Sequence, residues 1–331
     1  MITQKNFSLN QGNSKPICSI VIRAYNEEQH IGKLLTGITQ QSIKDLEIIL
    51  VDSGSTDATV AIASRFPVEI IHIHPDEFTF GYALNEGIKN AQGEYIVIAS
   101  AHVYPVYPDW IKQLLSPFLD PKIALTYGKQ RGNHDSVFPE RQIFAHWFPE
   151  ASVANQSHPF CNNANAAIRR SLWEKHPYNE SLTGLEDLEW ANWAIKKGYL
   201  LAYVAEAEIV HIHHEIPKAV YNRYRREAMA FKQIFPEEHF GFWDFLRLYS
   251  SNVFSDSWHA LKGGMLFTNI KNILWFRFMQ FWGTYRGYQQ TGPINPSLRQ
   301  TFYYPREFHS GREKSSRDLS PIDYREEDEI V

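Results

Sequence analysis

The chain has 331 residues, 44% hydrophobic, 21% charged and 14% aromatic, with a formal net charge of −4. That length carries ample apolar surface for one large domain or two modest ones, and the slight acidity leaves no electrostatic footprint for nucleic acid. Its two cysteines, Cys18 and Cys161, exclude a disulfide framework or a cysteine zinc site and fit a reducing compartment.

In chain order, residues 1–15 read as a polar tail without the apolar core of a signal peptide. "ICSIVIRA" (17–24) is a β-branched run and predicts a buried strand. Ile31, Leu34, Leu35 and Ile38 fall at helical spacing, with Asn26 as the expected N-cap. "LEIILV" (46–51) predicts a second strand, and "SGSTDATVAIASRF" a turn opening a helix that Asp57 caps. "VEIIHI" (68–73), "GYALNEGIKNAQ", "YIVIAS" and "PDWIKQLLSPFL" continue as strand, helix, strand and helix. Strands this continuous in Val and Ile, separated by helices, predict a parallel sheet covered on both faces. No run approaches the ~18 apolar residues of a spanning helix, so the expected place is cytoplasmic.

The second half is less regular. "HPFCNNANAAIRRSLWEKHP" reads as loop, short strand and helix, and "GLEDLEWANWAIKKG" as an amphipathic helix. "YLLAYV" and "EIVHIH" predict two short strands. From about residue 216 the segments are long, helical and aromatic, and from 291 a Pro-, Ser-, Arg- and Glu-rich tail is expected to be extended.

In an open α/β sheet, ligands bind beyond the carboxyl ends of the strands. Those junctions here carry "RAYNEE", "DSGSTD" and "SAH". Asp52 ends a wholly apolar strand, a costly place for a carboxylate unless it is paired. Either it meets ligand N–H groups, such as the imide edge of a pyrimidine, or it caps the next turn.

Taken together, "SIVIRAYNEE", "EIILVDSGSTDAT" and "FGYALNEGIKNAQGEYIVIAS" resemble the nucleotide-sugar-binding half of the family-2 glycosyltransferases, which have the GT-A fold. The resemblance covers roughly residues 17–215 and implies a catalytic domain over 16–215, followed by a helical region over 216–290. It implies that Ala24, Tyr25 and Glu27 line the base and ribose, that Asp52 contacts the base, and that the Phe80–Asn85 loop, ending in Asn85, borders the donor. The family's fourth strand usually ends in an Asp-x-Asp-like motif whose last carboxylate binds Mg²⁺ or Mn²⁺. Here Ser100, Ala101 and His102 stand in its place. The resemblance implies Ser100 and Ala101 against the donor. It gives His102 as a ligand that favours Mn²⁺ or another transition ion over Mg²⁺, or else as a metal-free imidazolium, or as a loop histidine with no role.

The same resemblance makes "LTGLEDLEW" the acceptor-side motif, with Asp187 as the base that removes the acceptor hydroxyl proton and Glu186 as an orienting group. In "AEIVHIHHE", His211, with His213 as second choice, completes the metal or diphosphate site. In "FCNNANAAIRR", Asn162, Asn163 and Asn165 are candidates for sugar hydroxyls, and Arg169 or Arg170 for phosphate; turn asparagines and solvated arginines are the plain alternative.

Residues 216–290 hold ten Lys and Arg against five acids, interleaved with Trp, Phe and Tyr. That texture suits a membrane–water interface, with a packed subdomain or homodimer contact as the alternative. "YNRYRREAMAFKQIF", with Arg223, Arg225 and Arg226, reaches either that surface or a phosphate. The expected activity is inverting transfer from a nucleotide-sugar donor to a glycan or lipid-linked acceptor in surface polysaccharide synthesis. A non-catalytic sugar-nucleotide-binding protein and a nucleotidyltransferase are the rivals, the latter lacking a Gly- and Lys-rich phosphate loop after the first strand.

Overall fold

The computed structural model describes residues 15–133, 136–213 and 216–290; the expected tails, apart from Lys15, and His214 lie outside them. The elements run β1 (Cys18–Ala24), α1 (Ile31–Thr39), β2 (Leu46–Asp52), α2 (Thr59–Ala63), β3 (Glu69–His72), α3 (Phe80–Asn90), β4 (Tyr95–Ser100), β5 (Val103–Pro105) and α4 (Trp110–Leu115). They continue with β6 (Ile123–Arg131), α5 (Phe138–Trp147), β7 (Val153–Gln156), β8 (Asn165–Arg169), α6 (Arg170–Trp173), α7 (Glu186–Lys196) and β9 (Leu200–His211). Three long helices close the described chain: α8 (Pro217–Ile234), α9 (Phe242–Lys262) and α10 (Leu266–Tyr288).

The strands form one sheet in the order β3-β2-β1-β4-β8-β6-β9-β5, with β7 also on β9. The four strands read from the sequence are parallel, as expected, and β8 then enters antiparallel against β4. Alternation along β1 divides its side chains between two cores. Val21 packs with Leu84 and Ile88 of α3 on one face, and Ile20 and Ile22 with Leu34 and Leu35 of α1 on the other. Each such fully buried aliphatic side chain contributes about 1.5–3 kcal/mol, so a sheet covered on both sides is the stable outcome of this pattern.

Two local expectations are corrected. Asn26 does not cap α1, which begins at Ile31; Asn26 sits at φ 53° and its Oδ1 accepts from the Thr56 N–H at 2.8 Å. The loop after β1 is thereby tied to the loop after β2 instead of winding into the helix. The two short strands expected over 199–213 are one twelve-residue strand, β9. Its parallel pairing with β6 jumps from Gly128↔Val204 to Gln130↔Ile209, so the extra β9 residues bulge outward. Gly128 is required there: a Cβ would stand 2.1 Å from the Ala207 carbonyl oxygen as the bulge passes over it.

The helical region packs on the catalytic sheet through α5 and α8. Gly283 and Gly287 let α10 cross α8 closely, since a Cβ at either would lie 2.5 Å from a carbonyl oxygen of α8. Between α9 and α10, Arg277 grips Asp256 through two hydrogen bonds of 2.7 and 3.0 Å, both side chains buried. Among the described residues no helix is long and apolar enough to cross a membrane.

Candidate active site

The sheet register gathers the loops named above at one edge. Arg23 lies opposite Ser100 and Ala24 opposite Asp52, so the loops after β1, β2 and β4 leave the sheet side by side. Beyond Ser100 the chain turns into β5, which pairs antiparallel with β9 so that Val103 meets His211. The Ile212 N–H also donates to the His102 carbonyl at 3.1 Å. This backbone pairing stacks His102 on His211, with ring centres 5.1 Å apart, and brings His213 to 4.0 Å from His211. One ring nitrogen from each of the three histidines lies within 4.8 Å of the other two.

Each ring is held through Nδ1. His102 Nδ1 is 2.7 Å from Glu27 Oε1, His211 Nδ1 is 2.8 Å from Gln130 Oε1, and His213 Nδ1 is 2.7 Å from Glu140 Oε1. Arg223 stands 3.5 Å from the same Glu140 oxygen. His211 Nε2 is buried and has no hydrogen-bond partner among the described residues. Burial, with His213, His102 and Arg223 adding repulsion, drives the His211 pKa well below its ordinary value, so the ring is neutral. A lone pair on a buried neutral imidazole, oriented through its far nitrogen by an outer hydrogen bond, is the donor arrangement of a metal ligand. The residues fit a divalent cation.

At the acceptor-side motif, Leu185 takes a left-handed conformation (φ 57°) and α7 opens directly at Glu186. Both carboxylates of the motif are buried. Glu186 Oε1 lies 3.3 Å from Arg23 and accepts from Asn163 Nδ2 at 3.3 Å. Asp187 accepts from the Asn163 N–H at 3.0 Å and the Leu188 N–H at 2.8 Å. Burial, and then the neighbouring Glu186 charge, push Asp187 up to about 7, against the pull of those N–H groups and Arg23. Arg23 and Arg226 clasp the Phe80 ring from 4.6 and 4.5 Å. Two arginines of α8 therefore face the catalytic domain, Arg223 holding Glu140 and Arg226 covering Phe80, while Arg225 donates to Gln290 beyond α10 at 2.7 Å. All three are half-buried and engaged with neighbouring side chains.

Several other expectations meet a different geometry. Asp52 is buried, accepts from the Gly54 and Ser55 N–H groups at 3.1 and 3.2 Å, and sits 3.3 Å from His72 Nδ1, so its turn-capping role is realised. Glu27 turns its carboxylate to His102, with Tyr25 packed on the core beside it. The methyls of Ala24 and Ala101 are buried in the core, which leaves neither side chain for a ligand; Ser100 is half-buried at the strand end. Asn85 does not border a donor: its amide donates to the Tyr178 carbonyl and Glu180 and accepts from Trp173 Nε1 and the Tyr178 N–H, which saturates it. Asn165 is likewise consumed, accepting from Trp110 Nε1 and donating to the Lys129 and Ala207 carbonyls, so it ties strands together and binds no acceptor. Asn162 caps its own turn through the Ala164 N–H. Asn163 alone of the three touches the carboxylate pair. Arg169 donates to the Phe118, Asp120 and Ile123 carbonyls and Arg170 pairs with Glu174, so both are engaged within the protein. Both cysteine thiols are buried, with Cys18 pushed up to about 12, and are chemically inert.

Arg23, Gln130 and Glu140 escaped the sequence reading. Arg23 had a signal: it is a charge closing an apolar strand, as Asp52 is. Gln130 and Glu140 had none, because β6 and α5 carry no motif that separates them from ordinary polar positions.

The mixed sheet, with loops gathered beyond the carboxyl ends of its strands, is a GT-A fold. Residues 19–176, just under half of the chain, match the model of the family described as glycosyl transferase family 2. The chain is 28% identical over 223 residues to the O-antigen chain rhamnosyltransferase WbaN of Salmonella anatum, an alignment covering 63% of this chain and 70% of that one. It is 29% identical over 218 residues to the O-antigen chain rhamnosyltransferase RfbN of Salmonella typhimurium, covering 62% and 69%. Among solved structures it is similar to the mannosyltransferase PcManGT from Pyrobaculum calidifontis in complex with GDP-Man and Mn²⁺, with a TM-score of 0.57 and 19% identity, covering 83% of this chain and 85% of that one. That structural likeness shows the fold.

Proposed function

We propose that this glycosyltransferase moves a sugar, with inversion, from a nucleotide-sugar donor to a hydroxyl of a glycan or lipid-linked acceptor in surface polysaccharide assembly. The observation that carries the reading is the convergence of three ring nitrogens within 4.8 Å, in a chain whose buried carboxylate pair holds Asp187 pushed up to about 7. The relatives named above support the polysaccharide context. The loops 25–28 and 52–57 take the nucleoside. Its diphosphate lies toward the histidines, with Arg23, Arg223 and Arg226 supplying positive charge around it.

Asp187 receives the proton of the acceptor hydroxyl. Both of its oxygens already accept backbone N–H groups, but each keeps a second lone pair. A base with this pKa is substantially ionised at neutral pH and still strong enough to deprotonate an attacking hydroxyl. The oxygen then bonds to the anomeric carbon from the face opposite the departing diphosphate, which leaves with the electron pair of the broken bond. Glu186, anchored on Arg23, orients the reactants. His102, His211 and His213 would hold a divalent cation, which supplies Lewis-acid neutralisation of the leaving diphosphate. Three imidazole ligands favour Mn²⁺ over Mg²⁺, which prefers oxygen ligands.

The test is a thermal-shift screen of nucleotide sugars with and without Mn²⁺, followed by transfer and donor-hydrolysis assays with the stabilising donor. Failure of every nucleotide sugar to bind or react would remove the proposal. Full activity in excess chelator after dialysis would remove only the metal, leaving His102 as an imidazolium.

A further inference from the structure

Among the described residues, thirteen large apolar side chains are exposed, and nine of them lie on α9, α10 and the turn between. Such concentration marks an interaction surface, since exposed apolar residues on a solvated protein are ordinarily scattered. Phe254, Trp258 and Leu261 recur at helical spacing on one face of α9, Met265 sits in the turn, and Phe267 and Leu274 follow on α10. Phe254 is 73% exposed and Phe267 93%.

From Ser257 onward the charge on this surface has one sign, the acid Asp244 lying at the far end of α9. Residues 257–290 contain no Asp or Glu, and the nearest acid, Asp256, is buried against Arg277. Lys271 lies within the apolar stripe of α10, and Lys262 Nζ is 5.1 Å from the Trp258 ring centre. Aromatic side chains with lysines between them match the interface of an anionic bilayer, where rings enter the headgroup region and ammonium groups meet lipid phosphates. A second copy of the chain fits less well, because an isologous contact would set this cationic face against itself.

We infer that the α9–α10 hairpin docks the enzyme on the surface of an anionic membrane, lying in the interface without crossing it. The hairpin packs on α5, which carries Glu140, and on α8, which carries Arg223 and Arg226, so docking fixes the catalytic cleft relative to the bilayer. This inference is independent of the donor, the acceptor and the metal.

The test is co-sedimentation of the full chain with vesicles of phosphatidylcholine alone or mixed with phosphatidylglycerol, beside light scattering without lipid. Wild type pellets with the anionic vesicles, and added salt weakens it. K262Q/K271Q lowers that affinity roughly 30-fold, at about fivefold per lysine. W258S/F267S abolishes it while far-UV circular dichroism and the melting midpoint stay those of wild type. Wild type left in the supernatant with anionic vesicles, or equal binding to both compositions, overturns the inference. So does a dimer that W258S/F267S dissociates while vesicle binding is absent.

Discussion

The sharpest expectations concern single side chains. Asp187→Asn removes the base and is expected to lower transfer by about 10²–10⁴-fold with nucleotide affinity retained, read by steady-state rates and calorimetry. In wild type the rate climbs with pH to a plateau above about 7, and in the variant that limb disappears. The same carboxyl links folding to pH. Between its ordinary 3.8 and about 7 the native state keeps a proton that the unfolded chain releases, so this group makes the fold less stable as pH rises through that window. Asp52→Ala leaves the Gly54 and Ser55 N–H groups without their acceptor, so a loss of about 1–3 kcal/mol is expected in denaturant melts. Nucleotide affinity should fall with it; an unchanged affinity beside a lower stability would make Asp52 purely a turn residue. Glu140→Gln should weaken Mn²⁺ binding about 10–100-fold in calorimetry, because Glu140 orients His213. At this scale the sequence exposed the charged residues at strand ends and the histidines, since their positions there are costly without a role. It did not separate Asn163 from Asn85 and Asn165. Three similar amides differ only in which neighbours the fold supplies, and two of them are saturated by partners distant in the chain.

At the scale of elements, the β1–β4 half was legible because buried parallel strands are nearly continuous runs of Val and Ile. The β6–β9 half was not: β6 pairs with β8 and β9, far from it in sequence, and β9 continues through Glu206, a polar residue that reads as a break. Asn26 was misread for a related reason. Its cap-like side chain is spent on the Thr56 N–H of another loop. The helices of the last region were legible in kind, but their partners were not, and two of the α8 arginines turned to the catalytic domain. The buried Arg277–Asp256 pair is the test of that packing. Asp256→Ala is expected to cost about 3–5 kcal/mol, because it strands a buried guanidinium; Arg277→Met with Asp256→Leu should recover most of it. Urea melts of the three chains check the ordering.

Over the whole molecule, the helical region and the sheet share side chains. Thr183 donates to the Arg226 carbonyl at 2.8 Å, Arg226 covers Phe80, and Glu140 sits between His213 and Arg223. One cooperative unfolding transition is expected, with far-UV and near-UV signals coinciding; two resolved transitions would count against this coupling. The bulge between Val204 and Ile209 adds a constraint of another kind. Every residue of a strand has a parity, odd or even, that decides its face, and His211 inherits its parity from the number of residues in that bulge. Deleting one residue there would leave each amino acid of "IVH" in place by name yet turn the imidazole from Gln130 to the opposite face. A scan of single-residue deletions and insertions over 205–208 should therefore erase Mn²⁺ binding as completely as losing the histidine itself. For this stretch, the length of the chain is part of the active site.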